Sequence, residues 1–180
     1  MSASTTYEIS LALGSVADTA PLLQLLPAQA FGARAQQIAI LRLEVFMTSA
    51  VATRLHLLSA ATAGTSIGPL FGSFASKQNG GADPVSFARV ASAWAPAPTF
   101  TAGDAGYRAM ILPGVIGASV VWEWPDPDAL APPTLERTAP PAGPPAFFGP
   151  GVCLRNITGG PSGSVLVNIR WKEFFVPGFF

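Results

Sequence analysis

Ionic groups are scarce in this sequence: 11% of its 180 residues are charged, against about 25% in an ordinary soluble protein. Ten basic and ten acidic residues cancel, so no excess charge draws a phosphate backbone or anionic lipid head groups. Neither nucleic acid nor a membrane is expected as a partner. No apolar run approaches the ~20 residues that span a bilayer, and the start, Met1 to Thr6, lacks a basic segment followed by an apolar one. The chain is therefore expected to be made in the cytoplasm without an export signal.

Cysteine and histidine occur once each, as Cys153 and His56. A lone cysteine excludes an intrachain disulfide, and one of each excludes a zinc site with the usual four protein ligands. A Ser-His-Asp triad has only His56 to build on, and no Gly-x-Ser-x-Gly elbow accompanies it. The glycines of 151–163 lack the Gly-Lys-Ser/Thr ending of a phosphate loop. Asp126-Pro127-Asp128 lacks the spaced glutamate of a calcium loop and reads as a polar turn. Glu123, Glu136 and Glu173 are the carboxylates from which a glycosidase-type pair would be drawn, but nothing in their spacing brings two together. An enzyme is not expected, nor a metal or cofactor.

What is abundant is apolar surface, at 49% of residues. Near-zero net charge favours association, and eight of the ten basic residues are arginine, the cation preferred at interfaces. A GC-rich genome would give the same bias toward arginine. The length suits one domain.

The order along the chain reads as all-β. Residues 1–36 are expected to form an N-terminal arm or a short helical segment, since Pro21 and Pro27 bracket Leu22, Leu23, Leu25 and Leu26 and limit any helix there. These leucines need cover, on their own domain or on a neighbour. From Ile38 the period is two, with Leu41, Leu43, Val45 and Met47 on one face; Arg54–Ser59 is a partner strand and 48–53 its turn, so a hairpin is expected. Residues 63–84 read as a long loop, with strands following in 85–94 and in Tyr107–Leu112. Ala118, Val120, Trp122 and Trp124 share a strand face. Nine prolines in residues 125–150 exclude an interior strand. Val152–Ile157 and Val165–Trp171, joined by a glycine-rich turn, are expected to form the closing hairpin. Turns at this interval suit an antiparallel β-sandwich over 37–173. The apolar tail 174–180 remains, with Phe174, Phe175, Phe179 and Phe180 as a second interface cluster beside the leucines.

The segment Gly149-Pro-Gly-Val-Cys-Leu-Arg-Asn156, its glycine turn and Val165–Glu173 resemble the end of small β-sandwich structural proteins of tailed-bacteriophage particles, including capsid cement or decoration proteins and head or tail accessory proteins. The resemblance implies a jelly-roll-like sandwich, commonly a homotrimer, that clamps the major capsid protein or another virion protein through arms and termini. The expected function is a virion cement protein that bridges neighbouring shell subunits. The alternative is a carbohydrate-binding module of a tail fibre or surface complex, which needs Trp94, Trp122 or Trp124 exposed as a platform.

Overall fold

The computed structural model describes residues 4–26, 34–62, 64–65, 76–77, 89–100, 108–124, 134–136 and 152–177. All regular structure among them is β: β1 Ser4–Leu13, β2 Pro21–Leu26, β3 Arg34–Met47, β4 Thr53–Thr62, β5 Ser76–Lys77, β6 Arg89–Ala91, β7 Thr99–Phe100, β8 Arg108–Leu112, β9 Ser119–Glu123, β10 Thr134–Glu136, β11 Val152–Asn156 and β12 Val165–Pro177. One sheet has the order β10-β3-β12-β1-β5, with β9 also on β3; the other has the order β6-β2-β11-β4-β7, with β8 also on β4. Every pairing is antiparallel.

The pairings are nested. β1 pairs with β12, β2 with β11, β3 with β9 and β4 with β8, and successive pairs alternate between the sheets. The two inner faces share one core. Tyr7, Ile9, Leu11 and Leu13 of β1 and Val165, Val167, Ile169 and Trp171 of β12 meet Leu23, Leu25, Leu55, Leu57, Met110, Leu112, Val152 and Leu154 of the opposite sheet. This is the period-two burial expected of an antiparallel sandwich.

Four expectations change. Residues 4–26 are no arm or helical segment: β1 and β2 are integral strands, each paired on both sides. Neither expected hairpin forms. β3 and β4 lie in opposite sheets, as do β11 and β12, so both turns are crossings between sheets. The inward face of β3 is Ile40, Leu43, Val45 and Met47, because the register slips by one residue between Arg170 and Trp171 opposite Leu41. The last strand continues past the expected boundary at 173, and Pro177 is still opposite Arg34.

The crossings at one end of the sandwich are bonded to one another. Gly163 N donates to Thr53 Oγ1 at 2.7 Å, Ser164 N to Ser49 Oγ at 2.8 Å, and Thr48 N to the Ser164 carbonyl at 3.0 Å. Gly163 sits so close that a Cβ there would lie 2.7 Å from Met47 Cε and 2.8 Å from the Val51 carbonyl oxygen. Gly163→Ala is therefore expected to cost about 2–3 kcal/mol in urea denaturation, through overpacking and a weakened Thr53 contact. A cost within about 0.5 kcal/mol would contradict this close approach.

Candidate interaction surface

The leucines expected at an interface are inside. Leu22, Leu23, Leu25 and Leu26 are all buried on their own domain, in a strand flanked by β11 and β6. Cover comes from the same chain, so these residues are not available to a partner. Phe174 and Phe175 belong by backbone to β12, opposite Gln37 and Gln36. Their side chains, and the whole of Phe179 and Phe180, lie outside the described residues.

The titratable groups do not converge. His56 is half-buried on the outer face of the β4 sheet, in register with Arg155 and Ala109. Glu173 is buried and accepts a 2.9 Å bond from the Trp171 indole on the core side, whereas the Glu123 side chain is 67% exposed on the outer face of that sheet. The two point to opposite sides. Asp126 and Asp128 lie outside the described residues, as does the side chain of Glu136. Cys153 is buried, and burial pushes its thiol well above the ordinary value, so it remains a neutral thiol rather than a nucleophile. Among the described residues no group of three His, Cys, Asp or Glu side chains could hold a metal ion.

Both outer sheet faces carry polar groups, but differently. Across β1, β12, β3 and β9 runs a register row of Glu8, Arg170, Arg42 and Glu123. Arg170 grips Glu8 Oε2 through Nε at 3.1 Å and Nη2 at 2.7 Å, and Arg42 Nη2 reaches Glu44 at 3.2 Å. This face largely satisfies its own charges. On the other sheet, Arg54 is exposed, His56 and Arg155 are half-buried, and the Arg155 guanidinium lies 4.7 Å above the Phe100 ring. Among the described residues no salt bridge joins them to a carboxylate.

Exposed apolar side chains concentrate elsewhere, around the corner where β8 turns into β9. Ile111 is 69% exposed, Val115 60%, Ile116 68%, Val51 46% and Val121 40%. Gly114 brings its turn against the backbone of 50–52, where a Cβ would lie 2.7 Å from Ala52 N. Val51, Val115 and Ile116 thus sit on two touching turns. β8 and β9 are edge strands, each paired on one side only among the described residues. The sequence holds a local signal for this corner: a β-branched apolar pair, Val115-Ile116, set in a turn between Pro113-Gly114 and Gly117. Such residues belong in strands, so in a turn they advertise a surface.

Comparison with known protein families and with curated proteins gives no match.

Proposed function

We propose that this chain is a structural protein that works by packing its β8–β9 corner onto other protein surfaces, and that its setting is a virus particle, where it acts as a cement between neighbouring shell subunits. The observation that carries the reading is the corner itself. Among the described residues the large exposed apolar side chains all lie in or beside this corner, Val51, Val115 and Ile116 on its two touching turns and Ile111 and Val121 on the outer faces of the two adjoining edge strands, and exposed apolar groups drawn together in this way mark an interaction site. The virion setting rests on the resemblance of 149–156 and 165–173 to phage particle proteins. The nested pairing of β1 with β12, β2 with β11, β3 with β9 and β4 with β8 supports a jelly roll, the winding that the resemblance implies. The expected clamp moves, however, from the leucines to the corner.

A carbohydrate-binding module has less behind it. Trp122 is 7% exposed in the core, Trp124 is half-buried and packed against the core edge-on to Trp122, and the edge of Trp94 is pressed against Gly64, so none offers a flat open platform.

The test is Val115→Asp combined with Ile116→Asp. Both side chains are exposed, so folding stability should stay within about 0.5 kcal/mol of wild type, while co-purification with assembled particles falls at least about tenfold. Normal occupancy by a folded double variant would sink the reading. Deleting residues 174–180 is a poorer probe, because it removes the paired end of β12.

A further inference from the structure

We propose that two copies of this chain join edge to edge along β8 and β9, each sheet of one copy continuing into the opposite sheet of the other. The inference rests on the corner as the interaction surface and names its occupant. An unpaired strand edge presents a row of free N–H and C=O groups, which proteins usually blunt with lysine or proline. Neither residue occurs in 108–112 or 119–123, and among the described residues nothing pairs with the outer edge of either strand.

The geometry suits a second copy. β8 and β9 are five residues each, lie at the same side of the sandwich in different sheets, and run in opposite directions. A two-fold axis parallel to the strands, set between the sheets just beyond this edge, brings β8 of each copy antiparallel to β9 of the other, twice. Because one edge supplies both halves, the contact is isologous and closes at two copies rather than the three that the resemblance implies.

Sheet continuity restricts the register, since each side chain must keep its face. Ala109 and Ile111 face outward on one rim, Val121 and Glu123 on the other. One face-keeping register sets Ile111 opposite Val121 of the second copy and covers both exposed apolar groups. It also sets Ala109 opposite Glu123 of the second copy. Ala109 is small, and its register neighbour is His56, followed by Arg155. The carboxylate therefore meets the rim that bears Arg54, His56 and Arg155, so the edges match in sign as well as in hydrogen bonding. Face-to-face stacking of the other sheet has no such match. Its row reads Glu8, Arg170, Arg42, Glu123, and a two-fold in the plane of that face sets like charge on like.

Sedimentation velocity of the full chain from about 1 to 100 μM is expected to show a dimer. Glu123→Arg and Ala109→Glu should each weaken dimerisation at least about tenfold, and the double variant A109E/E123R should restore it to within about threefold, because the swapped charges face each other again. I111C/V121C should oxidise to a covalent dimer, whereas I111C/S119C, which suits the slipped register, should not. Cys153 is buried and contributes no background. A monomer at about 100 μM, a trimer, or a dimer indifferent to the charge pair would overturn the proposal. If the chain is monomeric yet V115D/I116D still loses particle binding, self-pairing fails and the corner stands; if that variant binds normally, both fail.

Discussion

Trp171→Ala is expected to lower folding stability by about 5 kcal/mol, the largest loss from any single core truncation in this chain. Trp171 is fully buried on β12, the strand held between β1 and β3 at the centre of its sheet. Its ring stacks on Tyr7 with centroids 6.0 Å apart and planes at 29°, a contact worth roughly 0.5–1.5 kcal/mol beyond its area. Removing the indole leaves a cavity between the sheets, for which Trp→Ala substitutions cost about 3–5 kcal/mol. It also takes away the donor that sits 2.9 Å from buried Glu173 Oε1. Since domains of this kind are stable by about 5–15 kcal/mol, the variant should be largely unfolded at modest urea concentrations.

Two companions separate the contributions. Trp171→Phe keeps most of the ring and removes the donor, and should cost about 1.5–3 kcal/mol, toward the lower end because Glu173 has a further interaction of its own. Glu173→Gln keeps an acceptor for the indole and should cost less than Trp171→Phe. If Trp171→Ala costs less than about 1.5 kcal/mol in equilibrium denaturation, the indole does not hold the sheets together.

Trp171 also shows what could be read directly from the chain. Val165, Val167, Ile169 and Trp171 alternate with Asn168, Arg170 and Lys172, and the period assigns them to one face without knowledge of any neighbour; all four are in the core. The same reading worked for Trp122. Alternation says which side of a strand is covered but nothing about which strand lies beside it. For that reason residues 48–52 and 157–164 were legible as turns but not as crossings. A tight hairpin and a passage over a sandwich end use the same small residues, and the difference lies in where β12 and β11 find partners more than ninety positions away. β2 was hidden for another reason. Both faces of Pro21–Leu26 are buried, so the strand has no period, and Pro21 at its first position looks like a break when it is a tolerated strand start. β1 did carry a signal, Tyr7, Ile9, Leu11 and Leu13 against Glu8, Ser10 and Ala12, which the polar opening residues obscured.

The candidate surface was harder to find for a related reason. Leu22 to Leu26 and the terminal phenylalanines are the greasiest clusters in the chain, and a cluster without a period suggests an interface. Greasiness measures the need for cover, and the leucines met that need at home. Ile111 and Val121 look unremarkable by composition. They are exposed because β8 and β9 are edge strands, a property of sheet order that no local stretch encodes.

Asn156→Ala is expected to cost about 3–5 kcal/mol, despite removing only a small polar side chain. Asn156 is fully buried where the β1–β2 and β11–β12 crossings meet. Its Nδ2 donates to the carbonyls of Val16 at 3.2 Å, Ala17 at 3.0 Å and Gly160 at 2.8 Å, and its Oδ1 accepts Thr158 N at 2.9 Å. Its backbone also exchanges bonds with Thr19 and Ala20, which hold Thr19 at φ 63°, a left-handed conformation that a β-branched residue adopts only under such constraint. Alanine leaves buried main-chain groups without the partner that the side chain supplied, at about 1–3 kcal/mol each where water does not replace it. Asn156→Asp sharpens the test. A carboxylate of the same shape would aim negative charge at carbonyl oxygens, so its folded-state pKa rises above the unfolded value of about 4. The variant should approach wild-type stability only below that unfolded pKa, where the acid is protonated and can donate, and lose it as pH rises through the raised folded value. Urea midpoints at acidic and neutral pH check the sign: an Asp variant whose deficit relative to wild type shrinks toward neutrality would show that Asn156 does not serve as the donor joining these crossings.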